Sequence, residues 1–339
     1  MYRHFFRPLL FRLEAERAHS LTIHLMRLAG SLPGLPALVR TRYRAFSRPV
    51  QAFGLVFPNP VGLAAGYDKD ALAWRGLASL GFGHIEIGTV TPRPQPGNSR
   101  PRLFRLPEDA ALINRMGFPG RGARFVARRL SGRRPPGLVL GVNLGINKDT
   151  ALDESAQDYV SLIKIFAPLA DYLVVNVSSP NTTDLRRLQA REALDGLLVQ
   201  LTQERGAQER DLGRKIPVLV KLAPDLCDDE LDDALEVILQ RGMDGVIATN
   251  TTVSREGLVS RKRSEAGGLS GQPLGDRSTQ MIQKICRRTA DKLPVIGAGG
   301  IMSPADARAK LDAGATLVQL YTGLVYEGPE LVQRILNAL

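Results

Sequence analysis

The sequence predicts a (β/α)8 (TIM) barrel with an N-terminal pair of amphipathic helices. Three observations carry that prediction. From about residue 48, short β-rich runs ending in Gly or polar residues alternate with helical patterns. Eight such units follow one another without a break in composition, which favours closure over an open, doubly wound sheet. Finally, the first fifty residues hold nine arginines, no lysine and two acids, so they carry +7 of the chain's net +11. A basic front piece (1–46) and a nearly neutral barrel (47–339) are therefore expected.

In the front piece, Tyr2, Phe5, Phe6, Leu9, Leu10 and Leu13 recur at helical spacing, with Arg3, Arg7 and Glu14 largely on the other side. A second apolar set, Leu21, Leu25, Met26, Leu28 and Ala29, follows Ser20, which is expected to cap it. Gly30–Leu38, with Pro33, Gly34 and Pro36, reads as a break. Such a pair either packs on the barrel or lies on an anionic lipid surface, which suits an aromatic face backed by arginines.

A hairpin follows, Val50–Phe53 with Leu55–Phe57, turning at Gly54. The eight expected barrel strands are Val61–Ala65, His84–Gly88, Leu138–Val142, Tyr172–Asn176, Val218–Lys221, Gly245–Thr249, Val295–Gly297 and Leu317–Leu320. Between them lie the helical patterns Asp70–Leu80, Glu154–Phe166, Glu192–Glu204, Asp228–Gln240, Arg277–Ala290 and Pro304–Asp312. The connections 89–137 and 250–293 are unusually long. In a barrel, long βα segments lie on the catalytic face, as walls or lids.

Composition excludes several classes. At 44% hydrophobic and 23% charged residues the chain is globular. Its two cysteines, Cys227 and Cys286, supply no disulfide framework and no metal-ligand spacing, so a reducing compartment and small-hydrophobe packing are expected for them. No apolar run reaches the roughly 18 residues of a spanning helix. Arg7, Arg12, Glu14, Glu16 and Arg17 interrupt any secretory signal.

Barrel chemistry sits at the C-terminal ends of the strands. Those positions read Ala64–Lys69, Thr89, Asn143, Asn176 with Ser178–Asn181, Lys221, Thr249–Thr251, Gly297–Gly300 and Tyr321–Gly323. They show no Ser-His-Asp order, no facing carboxylate pair and no His cluster, which argues against hydrolysis and against a catalytic metal. Amides, hydroxyls, glycines and two lysines suit a large, polar, planar ligand. The chain has 36 arginines but only nine lysines, yet Lys69 and Lys221 both occupy strand ends. A lysine is a compact point charge that can approach a developing anion where a guanidinium is too wide. After strand 7, Gly297-Ala-Gly-Gly opens onto a helix, and Tyr321-Thr-Gly follows strand 8. Glycine-freed amides beside a helix N-terminus form an anion site, so a phosphorylated ligand is expected there.

The segments Asn59–Lys69, Thr89–Asn98, Pro101–Arg105, Asn114–Phe118, Val175–Thr182, Val220–Asp225, Thr249–Thr252, Gly267–Gly271 and Gly297–Ile301 resemble, in this order, the dihydroorotate dehydrogenase family. The resemblance is to its membrane-associated, quinone-dependent class 2 and covers essentially the whole chain. It implies an FMN barrel that oxidises (S)-dihydroorotate to orotate in pyrimidine biosynthesis. It implies FMN contacts from Ala65, Gly66, Lys69, Thr89, Asn143, Asn176, Lys221, Thr249, Gly271, Gly300, Tyr321 and Thr322. Substrate would be held by Lys69, Asn114, Arg115, Met116, Gly117, Phe118, Asn143, Asn176, Asn181, Asn250 and Thr251.

By the same resemblance Ser179 is the general base for the C5 proton, helped by neighbours such as Thr182, and Lys221 stabilises negative charge at the flavin pyrimidine ring. The soluble class 1 has Cys at the base position and lacks the front helices. His19 and Arg105 become quinone contacts, and the front pair a quinone entrance on the cytoplasmic face of a bacterial inner membrane. A monomer without nucleic acid or metal is expected. Two departures stand out: Thr183-Asp184 where the family has Pro-Gly, and Ile146 where it commonly has Lys. A tRNA dihydrouridine synthase would also be a basic FMN barrel, but this chain lacks that family's catalytic Cys and its C-terminal helical domain. A membrane-tethered barrel that only binds a phospho-ligand is the non-enzymatic alternative, and it requires Ser179 and Lys221 to be idle.

Overall fold

The computed structural model describes residues 2–44 and 46–339; Met1 and Ala45, both within the expected front piece, lie outside the described residues. In chain order the strands are β1 (Val50–Ala52), β2 (Leu55–Phe57), β3 (Val61–Leu63), β4 (His84–Val90), β5 (Leu103–Leu106), β6 (Ala111–Asn114) and β7 (Val139–Leu144). They continue with β8 (Tyr172–Asn176), β9 (Val218–Leu222), β10 (Gly245–Ala248), β11 (Gly268–Gly271), β12 (Val295–Ala298) and β13 (Leu317–Leu320). β3, β4, β7, β8, β9, β10, β12 and β13 close into a parallel barrel. The seam is β13 on β3, with Leu320 opposite Leu63. Val, Ile and Leu dominate these strands, and nearly every strand residue is buried, as both faces of a parallel sheet require. The β1–β2 hairpin, turning at Gly54 (φ +75°), plugs the N-terminal end. There Phe57 packs edge-on against His84, ring centroids 5.3 Å apart.

The helices are α1 (Arg7–Arg12), α2 (Ala15–Ser31), α3 (Leu35–Arg42), α4 (Trp74–Ala78), α5 (Ala123–Leu130), α6 (Ser155–Phe166) and α7 (Arg191–Leu212). After them come α8 (Asp228–Gln240), α9 (Gly275–Thr289), α10 (Pro304–Asp312), α11 (Thr322–Glu327) and α12 (Glu330–Ala338). Several differ from expectation for local reasons. The pattern Asp70–Leu80 shrinks to α4 because the Asp68 carboxylate takes the Leu72 and Ala73 amides at 2.8 and 2.7 Å, and Ala71 turns left-handed (φ +53°). Ser20 is not a cap. Glu14 starts α2, its carboxylate accepting from the Glu16 and Arg17 amides at 2.9 Å, where a negative charge also meets the helix dipole favourably. The expected break at 30–38 is short, because Pro36 in its first turn lets α3 begin behind Gly34 (φ +79°). Cys227 does not pack as a small hydrophobe: it is exposed at the N-cap of α8, whereas Cys286 is buried.

The two long connections carry structure the sequence did not announce. β5 and β6 from one, and β11 from the other, form an antiparallel three-stranded sheet over the barrel mouth. The front helices dock beside it. α2 crosses α4 with the backbones touching: a Cβ on Gly76 would lie 1.9 Å from the Met26 carbonyl, and one on Gly30 would lie 2.5 Å from the Gly76 amide. Glu16, buried in α2, is gripped by Arg102 (2.7 Å) and Arg100 (3.0 Å). The opposite side leaves Phe5, Phe6, Leu9, Leu25, Leu28 and Leu38 at least half exposed. Among the described residues no helix is long and apolar enough to cross a membrane.

Candidate active site

At the C-terminal ends of the strands, under the small sheet, lies a cavity of about 1090 Å³, its open mouth included. Its floor is organised by a residue the sequence reading passed over. Glu86, in the middle of β4, has no solvent exposure. Its carboxylate accepts from Asn143 Nδ2 and Gln319 Nε2, both at 2.7 Å, and lies 3.7 Å from Lys221 Nζ. An ionised carboxylate only accepts, so it fixes which way each amide points. Asn143 must turn Oδ1 upward, where Thr89 Oγ1 and Asn176 Nδ2 (3.0 Å) donate to it. Asn176 Oδ1 is thereby free to receive Ser178 Oγ at 3.2 Å and Asn250 Nδ2 at 3.2 Å. Gln319 is left presenting Oε1, a buried acceptor without a partner. One buried acid thus sets the donor and acceptor polarity across five strands. Its only sequence signal is a charged residue inside an otherwise apolar barrel run.

Ser179 sits on the loop after β8, nearly buried, and its Oγ accepts from the Asn181 amide at 3.2 Å. No hydrogen bond from Thr182 reaches it among those described. Asn181 Nδ2 donates to Asn114 Oδ1 at 3.1 Å, and its own Oδ1 is a second buried acceptor with no partner. Arg186 clamps this loop, donating to the Ser178 carbonyl (3.1 Å) and the Thr251 carbonyl (2.8 Å) while paired with Asp225 (2.8 Å). The unexpected Asp184 adopts φ +55°, a left-handed conformation natural to the glycine the resemblance leads one to expect. Ile146 is fully buried apolar packing.

On the far wall, Lys69 Nζ donates to the Gly66 carbonyl at 2.7 Å. Desolvation, reinforced by the Arg102 guanidinium, lowers its ammonium to about 8. The turn after β12 has Gly299 at φ +106° and Gly300 at φ +73°, and a Cβ on Gly300 would lie 2.1 Å from the Gly275 Cα. Gly300 and Ile301 have no backbone acceptor for their N–H groups among the described hydrogen bonds, and both line the cavity.

Ala65, Gly66, Lys69, Thr89, Asn176, Lys221, Thr249, Gly271, Gly300, Tyr321 and Thr322 all line this cavity, as do Asn114, Met116, Gly117, Phe118, Ser179, Asn181, Asn250 and Thr251. Two expected residues do not. Asn143 lies one layer below, and Arg115 turns outward to Glu265 at 2.7 Å. His19 and Arg105 stand on the front-helix side. His19 meets Tyr67 edge-on at 5.1 Å, and Tyr67 meets the cavity residue Tyr321 at 5.5 Å. Burial, with the Lys69 charge, lowers His19 to about 4, so it is neutral at physiological pH. Arg105 donates to the Leu10 carbonyl at 2.9 Å and to that of Leu13. Among the described residues no cluster of His, Cys, Asp or Glu could hold a metal.

The unpartnered acceptor Asn181 Oδ1, the Lys221 donor and the unpaired Gly300 and Ile301 amides fit a planar polar heterocycle carrying a phosphate. Comparison with known proteins agrees. The family model "Dihydroorotate dehydrogenase" matches residues 49–339. A dihydroorotate dehydrogenase (quinone) of Roseiflexus sp. is 51% identical over 98% of this chain and 92% of its own. One from Acidithiobacillus ferrooxidans is 51% identical over 98% and 93%. The crystal structure of the Eimeria tenella enzyme in complex with ferulenol superposes with a TM-score of 0.87 at 39% identity, covering 95% of this chain and 90% of that one. With a family match over the whole barrel and relatives that span both the barrel and the front helices, this chain belongs to the dihydroorotate dehydrogenase family of flavoproteins.

Proposed function

We propose that this chain oxidises (S)-dihydroorotate to orotate in pyrimidine biosynthesis, with FMN as the bound flavin and a membrane quinone as the final electron acceptor. The observation that carries the reading is the single cavity in which Ser179, the amides of Asn114, Asn176, Asn181 and Asn250, and Lys221 converge. Orotate is a planar diamide with a carboxylate, and amide side chains with a lysine match its edges. When bound, FMN would supply the hydride acceptor for C6 and the redox link to the quinone.

The protein's own groups do the rest. Lys69 holds the substrate carboxylate, and the asparagines orient the ring so that C5 faces Ser179. Ser179 Oγ takes the C5 proton as its own hydroxyl proton passes on through hydrogen-bonding neighbours or a water chain to solvent. Among the described residues no carboxylate or imidazole is hydrogen-bonded to it, so it depends on that relay in a site otherwise closed to solvent, and on the Asn181 amide, whose donation stabilises negative charge on Oγ. Lys221, with its charge balanced by Glu86, would favour negative charge on the bound flavin. The front helices form the quinone entrance, with His19 and Arg105 at its wall, and seat the protein on the cytoplasmic face of a bacterial inner membrane. The aromatic contacts from His19 through Tyr67 to Tyr321 support that path. The test is one purified, yellow sample given dihydroorotate and then quinone, fumarate or NAD. The flavin should bleach with dihydroorotate and recover with quinone alone; recovery with fumarate or NAD instead would reject the acceptor assignment.

A further inference from the structure

Lys310, on α10, is 1% exposed and lies outside the cavity described above. Its stem runs beneath β12, where a Cβ on Gly297 would come 3.3 Å from the Lys310 Cδ. Nζ contacts three oxygens at the start of α9: Ser278 Oγ at 3.0 Å, Thr279 Oγ1 at 3.1 Å and the Gly275 carbonyl at 3.3 Å. Both hydroxyl protons are already committed, Ser278 to the Ala298 carbonyl at 2.6 Å and Thr279 to the Gly275 carbonyl at 2.9 Å. All three oxygens can therefore only accept, and Nζ must donate three times. A neutral amine has two protons to give and an ammonium has three, so the geometry demands the charged form.

That charge is badly placed for the protein alone. It is buried, it sits at the positive end of the α9 dipole, and among the described residues no carboxylate lies within 4.0 Å. The nearest acids, Asp306 and Asp276, favour the ammonium without pairing with it: Asp306 is engaged by the Met302 amide (3.0 Å) and Ser303 Oγ (2.8 Å), and Asp276 is exposed. What lies on the other side is the phosphate turn. Gly275, bonded to Nζ through its carbonyl, touches Gly300 backbone to backbone. Ser278 ties the same ammonium to Ala298, the residue that leads into Gly299 and Gly300.

We propose that Lys310 is the buried counter-charge of the flavin phosphate, acting through the Gly275–Gly300 contact without touching the ligand. It rests on the FMN reading above and deepens it: the site selects a phosphorylated flavin by a charge set behind the turn as well as by the amides in front. Burial lowers the ammonium to about 8, which leaves it charged at neutral pH.

The test compares full-length wild type and Lys310→Met, both stripped of flavin, titrated with FMN and with uncharged riboflavin by flavin fluorescence. Methionine keeps the apolar stem and removes the charge. FMN affinity should fall about tenfold or more, equivalent to roughly 1.4 kcal/mol, while riboflavin affinity stays within about twofold. Equal losses for both flavins would show that Lys310 only packs α10 against α9, and an unchanged FMN affinity would equally overturn the proposal. If the methionine variant does not fold, Lys310→Gln, which is uncharged but keeps a polar amide end, carries the same expectation. Wild type that binds neither flavin rejects the cofactor reading itself. Wild type that binds FMN no better than riboflavin leaves that reading standing and removes the role of Lys310.

Discussion

The front helices expose Phe5, Phe6, Leu9, Leu28 and Leu38 among arginines, whereas the barrel mouth they dock beside is lined with amides, hydroxyls and two lysines. The contrast is one of solvent. An apolar face with basic neighbours suits a lipid boundary and an apolar electron acceptor. A cavity of oriented donors and acceptors suits a small, charged, water-borne acid. The two surfaces are joined by contacts that include the Gly30–Gly76 crossing, Glu16 on Arg102, and Arg105 on the Leu10 and Leu13 carbonyls. Two chemistries can thus be held apart in one chain, and separable defects are the way to test that.

The largest expected effect comes from deleting residues 1–45. Quinone turnover and vesicle binding should vanish while dihydroorotate still bleaches the flavin. Retained quinone reduction at the wild-type rate would end the division between the two regions. Ser179→Ala should do the reverse, keeping flavin and vesicle binding but slowing flavin reduction at neutral pH by about 10²–10⁴-fold, the usual worth of a positioned base. Stopped-flow absorbance reads this directly, and unchanged reduction would remove Ser179 from the mechanism.

A smaller effect sharpens the polar side. Lys69, lowered to about 8, binds a carboxylate only as the ammonium. Orotate affinity should therefore be full below that value and fall about tenfold per unit of pH above it. A flat profile between pH 7 and 9.5 in orotate titrations would show that Lys69 does not hold the carboxylate. His19 titrates far below this range, so it adds nothing to the slope.

What was legible in the sequence follows the range of the forces involved. Tyr172–Asn176, Leu317–Leu320, Asp228–Gln240 and Pro304–Asp312 form as expected because their patterns are local and complete. Most of the strand-end positions read from the sequence line the cavity. The small sheet was invisible because its pairing joins 103–114 to 268–271, and nothing within either segment announces the partner. Glu86 was hidden for a related reason: its role exists only once β7, β9 and β13 bring Asn143, Lys221 and Gln319 to it. Ser20 misled because a serine before an apolar run resembles a cap, while the actual cap, Glu14, acts through its carboxylate six residues earlier.

The smallest effect concerns the joint itself. Arg102 donates to Glu16 and, through Nη1, to the carbonyls of Pro96 (2.6 Å) and Asn98 (2.9 Å). Asn98 in turn donates to the carbonyls of Arg115 (3.1 Å) and Asn181 (3.2 Å), so the chain of contacts runs from α2 to the substrate loop. Arginine at pH 7 cannot shed its proton, so Glu16→Gln leaves a buried guanidinium without its anion. The expected outcome is a weakening of orotate binding by about 0.5–2 kcal/mol, although residue 16 lies in the front helices and does not line the cavity. The double variant Glu16→Gln with Asn98→Ala should cost less than the sum of the two single changes, because the second break falls on a path already opened. Strict additivity would mean that the two regions share a surface and nothing more.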